Sequence, residues 1–319
     1  MLTKKAIPFS RLRYWMYGAS IAMIILSWAG TFLEGGFNLG IDFKPGLSES
    51  VQITASNVTI ERVREALKGS EHSFTVQPIG VASENRFQLR AVAKQTEAKE
   101  ANLQEKLSSN ATVALEKTFG AGSVKVEQTE FIGPSLSSEL VVQTTWIALA
   151  AILVILLYIW FRFKFAYALA AIIALVHDPI VVLGLIGTVQ MEVTTATIAV
   201  ILTIIGYSLN DTIVVFDRIR ENIRITPTMN MYDLIDMAIT QTLSRTIVSS
   251  LTVLLSMVAV YVFTQGAIHD FALALIVGVV IGTYSSIFIA APLMVAIAGG
   301  KPPKEKEKKI LTEGETAEA

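Results

Sequence analysis

Cysteine is absent from the 319 residues. That excludes disulfides, thiolate metal sites and cysteine nucleophiles, and leaves the redox compartment open. Histidine is scarce, occurring only at 72, 177 and 269, so no multi-histidine metal site is expected and no cofactor is assigned. Charge is scarce too: Asp, Glu, Lys and Arg make up 17% of the chain against 52% hydrophobic residues. A net charge of −1 offers no basic surface to nucleic acid. Common catalytic signatures are also missing, with no Gly-x-Ser-x-Gly, His-Glu-x-x-His or phosphate loop. The glycine-framed aspartate of an intramembrane protease is not present at Asp211, which Leu209 and Asn210 precede. The chain is therefore not read as an enzyme.

What remains is apolar. A mean hydropathy of +0.55 marks a polytopic protein of the lipid bilayer. Tyr14 to Leu33 is apolar and follows Lys4, Lys5, Arg11 and Arg13. It is long for a signal-peptide core and no small-x-small cleavage site follows, so it reads as an uncleaved first span over 14–33. Five further stretches, 140–160, 165–188, 194–216, 243–263 and 271–298, each offer the approximately 20 residues a helix needs to cross. They place spans two to six within 139–298.

Lys and Arg set the expected orientation. Residues 1–13, the turn with Arg162 and Lys164, the loop 217–242 with Arg218, Arg220 and Arg224, and the tail 299–319 are basic. The short loops near Gln190 and Gln265 hold neither residue. Both termini and the 217–242 loop are thus expected in the cytoplasm, with the tail disordered.

The polar segment 34–138 would lie on the opposite side. Its pattern reads β-α-β-β-α-β: SESVQITA as a strand, VTIERVREALK as a helix with Asn57 as N-cap, SFTVQPI and RFQLRAVA as a strand pair, 96–119 as a helix and SVKVEQTEF as a last strand. That order predicts a ferredoxin-like α+β domain between the first two spans.

Polar residues inside the spans are the functional candidates. An aspartate or arginine at a helix centre costs about 2.5–3.5 kcal/mol on insertion scales. Asp211 lies six residues before Asp217, roughly 9 Å inside the end of the fourth apolar stretch. Thr203, Tyr207, Asn210 and Asp211 fall on one helical face, where Gly206 would admit a close neighbour. Arg245 opens the fifth span and continues through Ser249, Thr252 and Ser256 as a second polar stripe at similar depth. The pattern predicts facing helices around an ion pathway, with Asp211 and Arg245 as partners. His177-Asp178-Pro179 sits midway along the third span, where it either relays protons or shapes a kink. Gly278 and Gly282 form a Gly-x-x-x-Gly packing motif on the sixth span.

Four segments carry a resemblance: GIDFKPG at 40–46, ALVHDPIVVLG at 174–184, IGYSLNDTIVVFDRIREN at 205–222 and QTLSRTI at 241–247. Together they resemble the SecD/SecF family of protein-export membrane subunits, on the SecF side, over all six spans. The resemblance implies a multi-pass inner-membrane protein that partners SecD and YajC beside the SecYEG channel. It implies use of the proton or sodium motive force for late, ATP-independent movement of an exported polypeptide. It further implies that Asp211 and Arg245 serve the ion pathway. Pro45 stands where the family usually has glycine, which removes a donor and fixes φ next to Gly46. Two alternatives are a half-transporter of the resistance-nodulation-division type and a passive assembly subunit of the translocase.

Overall fold

The structure, a computed structural model, describes residues 6–70, 72–80, 84–93 and 102–300. The chain begins with a 3-10 turn, Phe9–Leu12, that leads into α1 (Arg13–Leu33). A short strand β1 (Asn38–Leu39) precedes the sheet domain of β2 (Gly46–Ile53), α2 (Ile60–Lys68), β3 (Phe74–Ile79), β4 (Arg86–Val92), α3 (Leu103–Phe119) and β5 (Val124–Ile132). Then follow α4 (Pro134–Arg162), α5 (Phe165–Thr188), β6 (Glu192–Val193), α6 (Thr195–Ile225), α7 (Met231–Phe263) and α8 (Ala267–Ser285). A π-helical turn, Ser286–Ala290, joins α8 to α9 (Ala291–Ile297), so the last span is one rod from Ala267 to Ile297.

Among the described residues, six helices are long and apolar enough to cross a membrane. Hydrocarbon offers backbone groups no partner, so a spanning segment must satisfy them internally, as a helix does. The helices differ in what they bury. More than half of the apolar window of α5 and of the last span is enclosed by the rest of the chain, but none of that of α4. The core is built from α5, α6 and α8, with residues such as Ala171, Val182, Ile204 and Phe216 fully enclosed. Small residues bring α1 against α5: Gly184 and Gly187 face Ser27 and Thr31, and a Cβ at either glycine would overlap those side chains. Thr31 Oγ1 donates to the Gly184 carbonyl at 2.7 Å, and Trp28 Nε1 to that of Ile180 at 3.0 Å.

Between α1 and α4 the four long strands form an antiparallel sheet in the order β3-β4-β2-β5. Strand β4 inserts between β2 and β3, the split β-α-β arrangement of a ferredoxin-like fold. Helix α3 buries Leu103, Leu107, Ala111 and Leu115, spaced four apart so that they form one stripe. Val63 and Leu67 of α2 join Val51, Val76, Phe87 and Leu89 of the sheet. Helix α3 starts at Leu103, so the expected 96–119 is corrected at Asn102, its N-cap, while 96–101 lie outside the described residues.

Two further expectations are corrected. Asn57 is not the N-cap of α2. It adopts a left-handed φ of 61°, and Thr59 caps instead, accepting from Arg62 N–H at 3.4 Å. The 217–242 segment is not a loop. Helix α6 runs on to Ile225 and α7 starts at Met231, leaving only 226–230 between them. Hydropathy falls at Asp217, but nothing there breaks a helix before Pro227, and pairs such as Arg218–Glu221 at 2.6 Å support the extension. Apart from Gly299 and Gly300, the 299–319 tail lies outside the described residues.

Pro45 is accommodated. Its carbonyl accepts from Ala93 N–H at 2.8 Å, and β2 begins at Gly46 in register with Val92. Gly46 has no room for a side chain, because a Cβ would overlap the Ala91 carbonyl.

Candidate functional site

The site grows from α6. Its N-terminus is held from three sides. Thr194 and Thr197 form a capping box, each side chain accepting from the other's backbone N–H. The Asp42 carboxylate, from the GIDFKPG segment, accepts from Thr195 N–H and Oγ1, both at 2.9 Å. A negative group there also complements the helix dipole. The preceding strand β6 pairs in parallel with β1, and Arg90 of β4 forms an ion pair with Glu192. Burial pulls the Arg90 guanidinium below its ordinary value, while Asp42, Asp270 and Glu130 act in the opposite sense.

Asp211 lies 16 positions beyond Thr195, about 24 Å along the axis. It is buried at 8% exposure beside a cavity of about 40 Å³. Ser208 and Asn210 of α6, Ser250 of α7, and Gly282 and Thr283 of α8 line that space. Most of its wall is apolar, but several polar side chains reach it, and it is large enough for about one or two waters. The Ser250 hydroxyl interacts with the Asp211 carboxyl and pairs with the Thr283 hydroxyl at 2.7 Å.

The remaining residues of the two predicted stripes are more open to the outside, although Tyr207, Asn210 and Ser249 also border this cavity. Tyr207 and Asn210 are exposed and Thr203 is half-buried. On α7, Arg245, Ser249, Thr252 and Ser256 are all exposed. No ion pair joins Asp211 and Arg245 among the described residues, and the Arg245 charge acts on Asp211 across space. Asp211 turns inward toward α7 and α8, whereas Arg245 points out. At Gly206 a Cβ would meet nothing within 4 Å, so no described residue of this chain is the close neighbour that glycine would admit. Gly278 and Gly282 do face a helix of this chain. A Cβ at Gly278 would overlap Ile204, and one at Gly282 would press on Ser208 at 3.1 Å.

His177 and Asp178 lie deeper, in the α5–α6–α8 core. Asp178 is fully inaccessible and accepts from Ser208 Oγ at 2.5 Å and Ser285 Oγ at 2.8 Å. His177 Nδ1 is 2.9 Å from its other oxygen. Pro179 sits within α5, which continues through it to Thr188. Sequence reasoning missed Ser208, Ser285, Ser250 and Asp42. A signal existed for Ser285, seven and three residues beyond Gly278 and Gly282, and so close to the face those glycines press against α6. Nothing local marks Asp42 as a cap for a helix 153 residues away.

Comparison with known proteins agrees over most of the chain. A family profile described as "Protein export membrane protein SecD/SecF, C-terminal" matches residues 111–299. The protein translocase subunit SecF of Borreliella burgdorferi is 33% identical over 293 residues, covering 92% of this chain and 97% of its own. That of Desulfurispirillum indicum is 38% identical over 293 residues, covering 91% of each. The crystal structure of SecDF, a translocon-associated membrane protein from Thermus thermophilus, superposes with a TM-score of 0.76 at 31% identity. That match covers 94% of this chain and 40% of the SecDF chain.

Proposed function

Because the chain belongs to the SecD/SecF family of protein-export membrane proteins, we propose that it is the SecF-type subunit of a Sec translocase that converts an ion gradient into late movement of an exported polypeptide. In this reading it lies in the inner membrane with SecD and YajC beside SecYEG. Both termini face the cytoplasm and the ferredoxin-like domain lies in the periplasm. The observation that carries the reading is the contrast within α6 and α7. One buried acid sits at a small cavity lined in part by hydroxyls, and beside it Arg245 and a row of hydroxyl residues face outward among apolar side chains. The hydroxyls of that stripe bond carbonyls of their own helix, so Arg245 is the member that favours a covering protein. The two-part SecDF relatives, of which this chain spans 40%, support SecD as that cover.

The chemistry asked of Asp211 is binding and release of a proton or sodium ion. Neutralising the carboxylate changes its relation to Ser250 and to the Arg245 charge, and so biases the packing of α6 against α7. One charge crossing about 150–200 mV releases roughly 3–5 kcal/mol. That shifts a two-state equilibrium by about a hundred- to a thousand-fold. No nucleotide is consumed at this step.

The test is late-stage export driven by an imposed ion gradient, in vesicles carrying SecYEG, SecD and this chain. Asp211→Asn keeps size and hydrogen bonding but removes the titratable charge. The expected result is loss of gradient-driven export with the complex still assembled. Unchanged export would instead support a passive assembly subunit.

A further inference from the structure

Asp178 has a geometry that a kink does not require. A carboxyl serving only the break at Pro179 would bond backbone groups freed within α5. This one takes its hydrogen bonds from side chains of α6 and α8, through Ser208 and Ser285, and from its neighbour His177. Ser208 is shared: it lines the cavity that holds Asp211, and its Oγ reaches Asp178. On the far side, Nε2 of His177 is buried at a residue 7% exposed and has no hydrogen-bond partner. A buried polar atom without a partner is costly, and here it is the one open position of an otherwise closed network.

We propose that Asp178, with His177 as its exchange partner, is a second proton-carrying station that communicates with the Asp211 cavity through Ser208. The proposal rests on the reading of Asp211 as an ion-carrying group. The proton balance is simple. With Asp178 ionised and His177 neutral, Nδ1 carries the ring proton toward Oδ1. A proton arriving at Nε2 makes the imidazolium. Transfer of the Nδ1 proton to Oδ1 leaves a neutral histidine in its other tautomer and a neutral acid. The pair gains one proton and no other bond changes. The titratable groups around the pair are Asp211 on α6, across Ser208, and Tyr284 on α8, whose ring centroid is 6.4 Å from that of His177. Helix α1 offers Tyr284 only neutral groups, the Ser20 hydroxyl at 2.9 Å and the Met16 carbonyl at 2.6 Å. Apart from His177, no charged side chain acts on Asp178 among the described residues.

The experiment is difference infrared spectroscopy of the full complex with SecD across pH, read at the carbonyl stretch of protonated carboxyls, alongside gradient-driven export. The native complex is expected to show two titrating carboxyl signals, one lost in Asp178→Asn and the other in Asp211→Asn. Asp178→Asn is expected to slow export on the order of 10²-fold, as for a positioned proton-transfer group. Should that variant fail to assemble, Ser208→Ala and His177→Gln decide, since both leave the carboxyl in place. Each is expected to shift the pH profile of export, which a merely structural role would leave unmoved. An unchanged carboxyl spectrum and pH profile in the Asp178, His177 and Ser208 variants overturns the proposal and leaves the Asp211 reading standing. Export that survives Asp211→Asn overturns that reading, and the proposal with it.

Discussion

At the scale of single residues, Asp211 and Arg245 differ in more than sign. The acid is enclosed by α7 and α8, while the arginine projects from α7 with no ion-pair partner among the described residues. A charge acting across space needs only to be a charge, whereas a bidentate guanidinium contact needs the planar fork. Arg245→Lys is therefore expected to retain most gradient-driven export. Arg245→Gln is expected to lose about tenfold, the equivalent of about 1.4 kcal/mol. If lysine fails as badly as glutamine, Arg245 makes a directed contact to SecD. Gly206 offers a complementary test. Nothing in this chain approaches it, and alanine is favoured over glycine by about 1 kcal/mol within a helix. Gly206→Ala is expected to leave the purified chain equally or more thermostable but to weaken its copurification with SecD. A loss of thermostability in the chain alone would show that the outer face of α6 is not open.

At the scale of elements, α6 is fixed by what packs on it and by what caps it. Gly278 meets Ile204 so closely that a larger side chain must displace it. Gly278→Val is expected to destabilise by about 1–3 kcal/mol through overpacking. At about 2–4 °C per kcal/mol, thermal unfolding of the detergent-solubilised chain would read that as a drop of several degrees. The elements also show what a sequence conveys and what it withholds. Hydropathy located all six spans, because the need to satisfy backbone groups in lipid leaves few alternatives. Alternation in segments such as 86–93 revealed the strands, and their succession with two helices pointed to the ferredoxin-like domain. Helix ends were less legible, since α6 and α7 continue as charged helices after their apolar character stops. Local capping rules favoured Asn57, yet tertiary placement gave it a turn and left the cap to Thr59. Within the site, period alone put Thr203, Tyr207, Asn210 and Asp211 on one face. It gave no hint that Asp211 is the only one of the four to be buried. Partners such as Ser208 and Asp178, 30 positions apart, follow from helix packing that no local pattern encodes.

At the scale of the molecule, the sheet domain and the membrane bundle meet where α5 passes into α6. Strand β1 pairs with β6, Arg90 of the sheet pairs with Glu192, and Asp42 caps the helix that carries Asp211. Gly40 is part of the same join, since a Cβ there would strike the Glu192 carboxylate. A continuous helix transmits a displacement at one end to the other, so a shift of the sheet domain and a change of charge at Asp211 act on one rod. Charge reversal isolates this link. Arg90→Glu or Glu192→Arg alone would set like charges against each other at a mostly buried contact, and each is expected to slow gradient-driven export. The double reversal restores an opposite-charge pair and is expected to recover much of the rate. Residues in contact commonly show interaction energies of about 0.5–3 kcal/mol in such cycles. Rates that combine additively, with no recovery in the double variant, would mean that the pair does not couple the two parts. Asp42 and the β1–β6 pairing would then remain as links, and replacing Asp42 by alanine is expected to cost about 0.5–2 kcal/mol as a lost helix cap. Thermal unfolding of the purified chain measures that cost, and export by the same variant shows whether the cap alone carries motion from the sheet to Asp211.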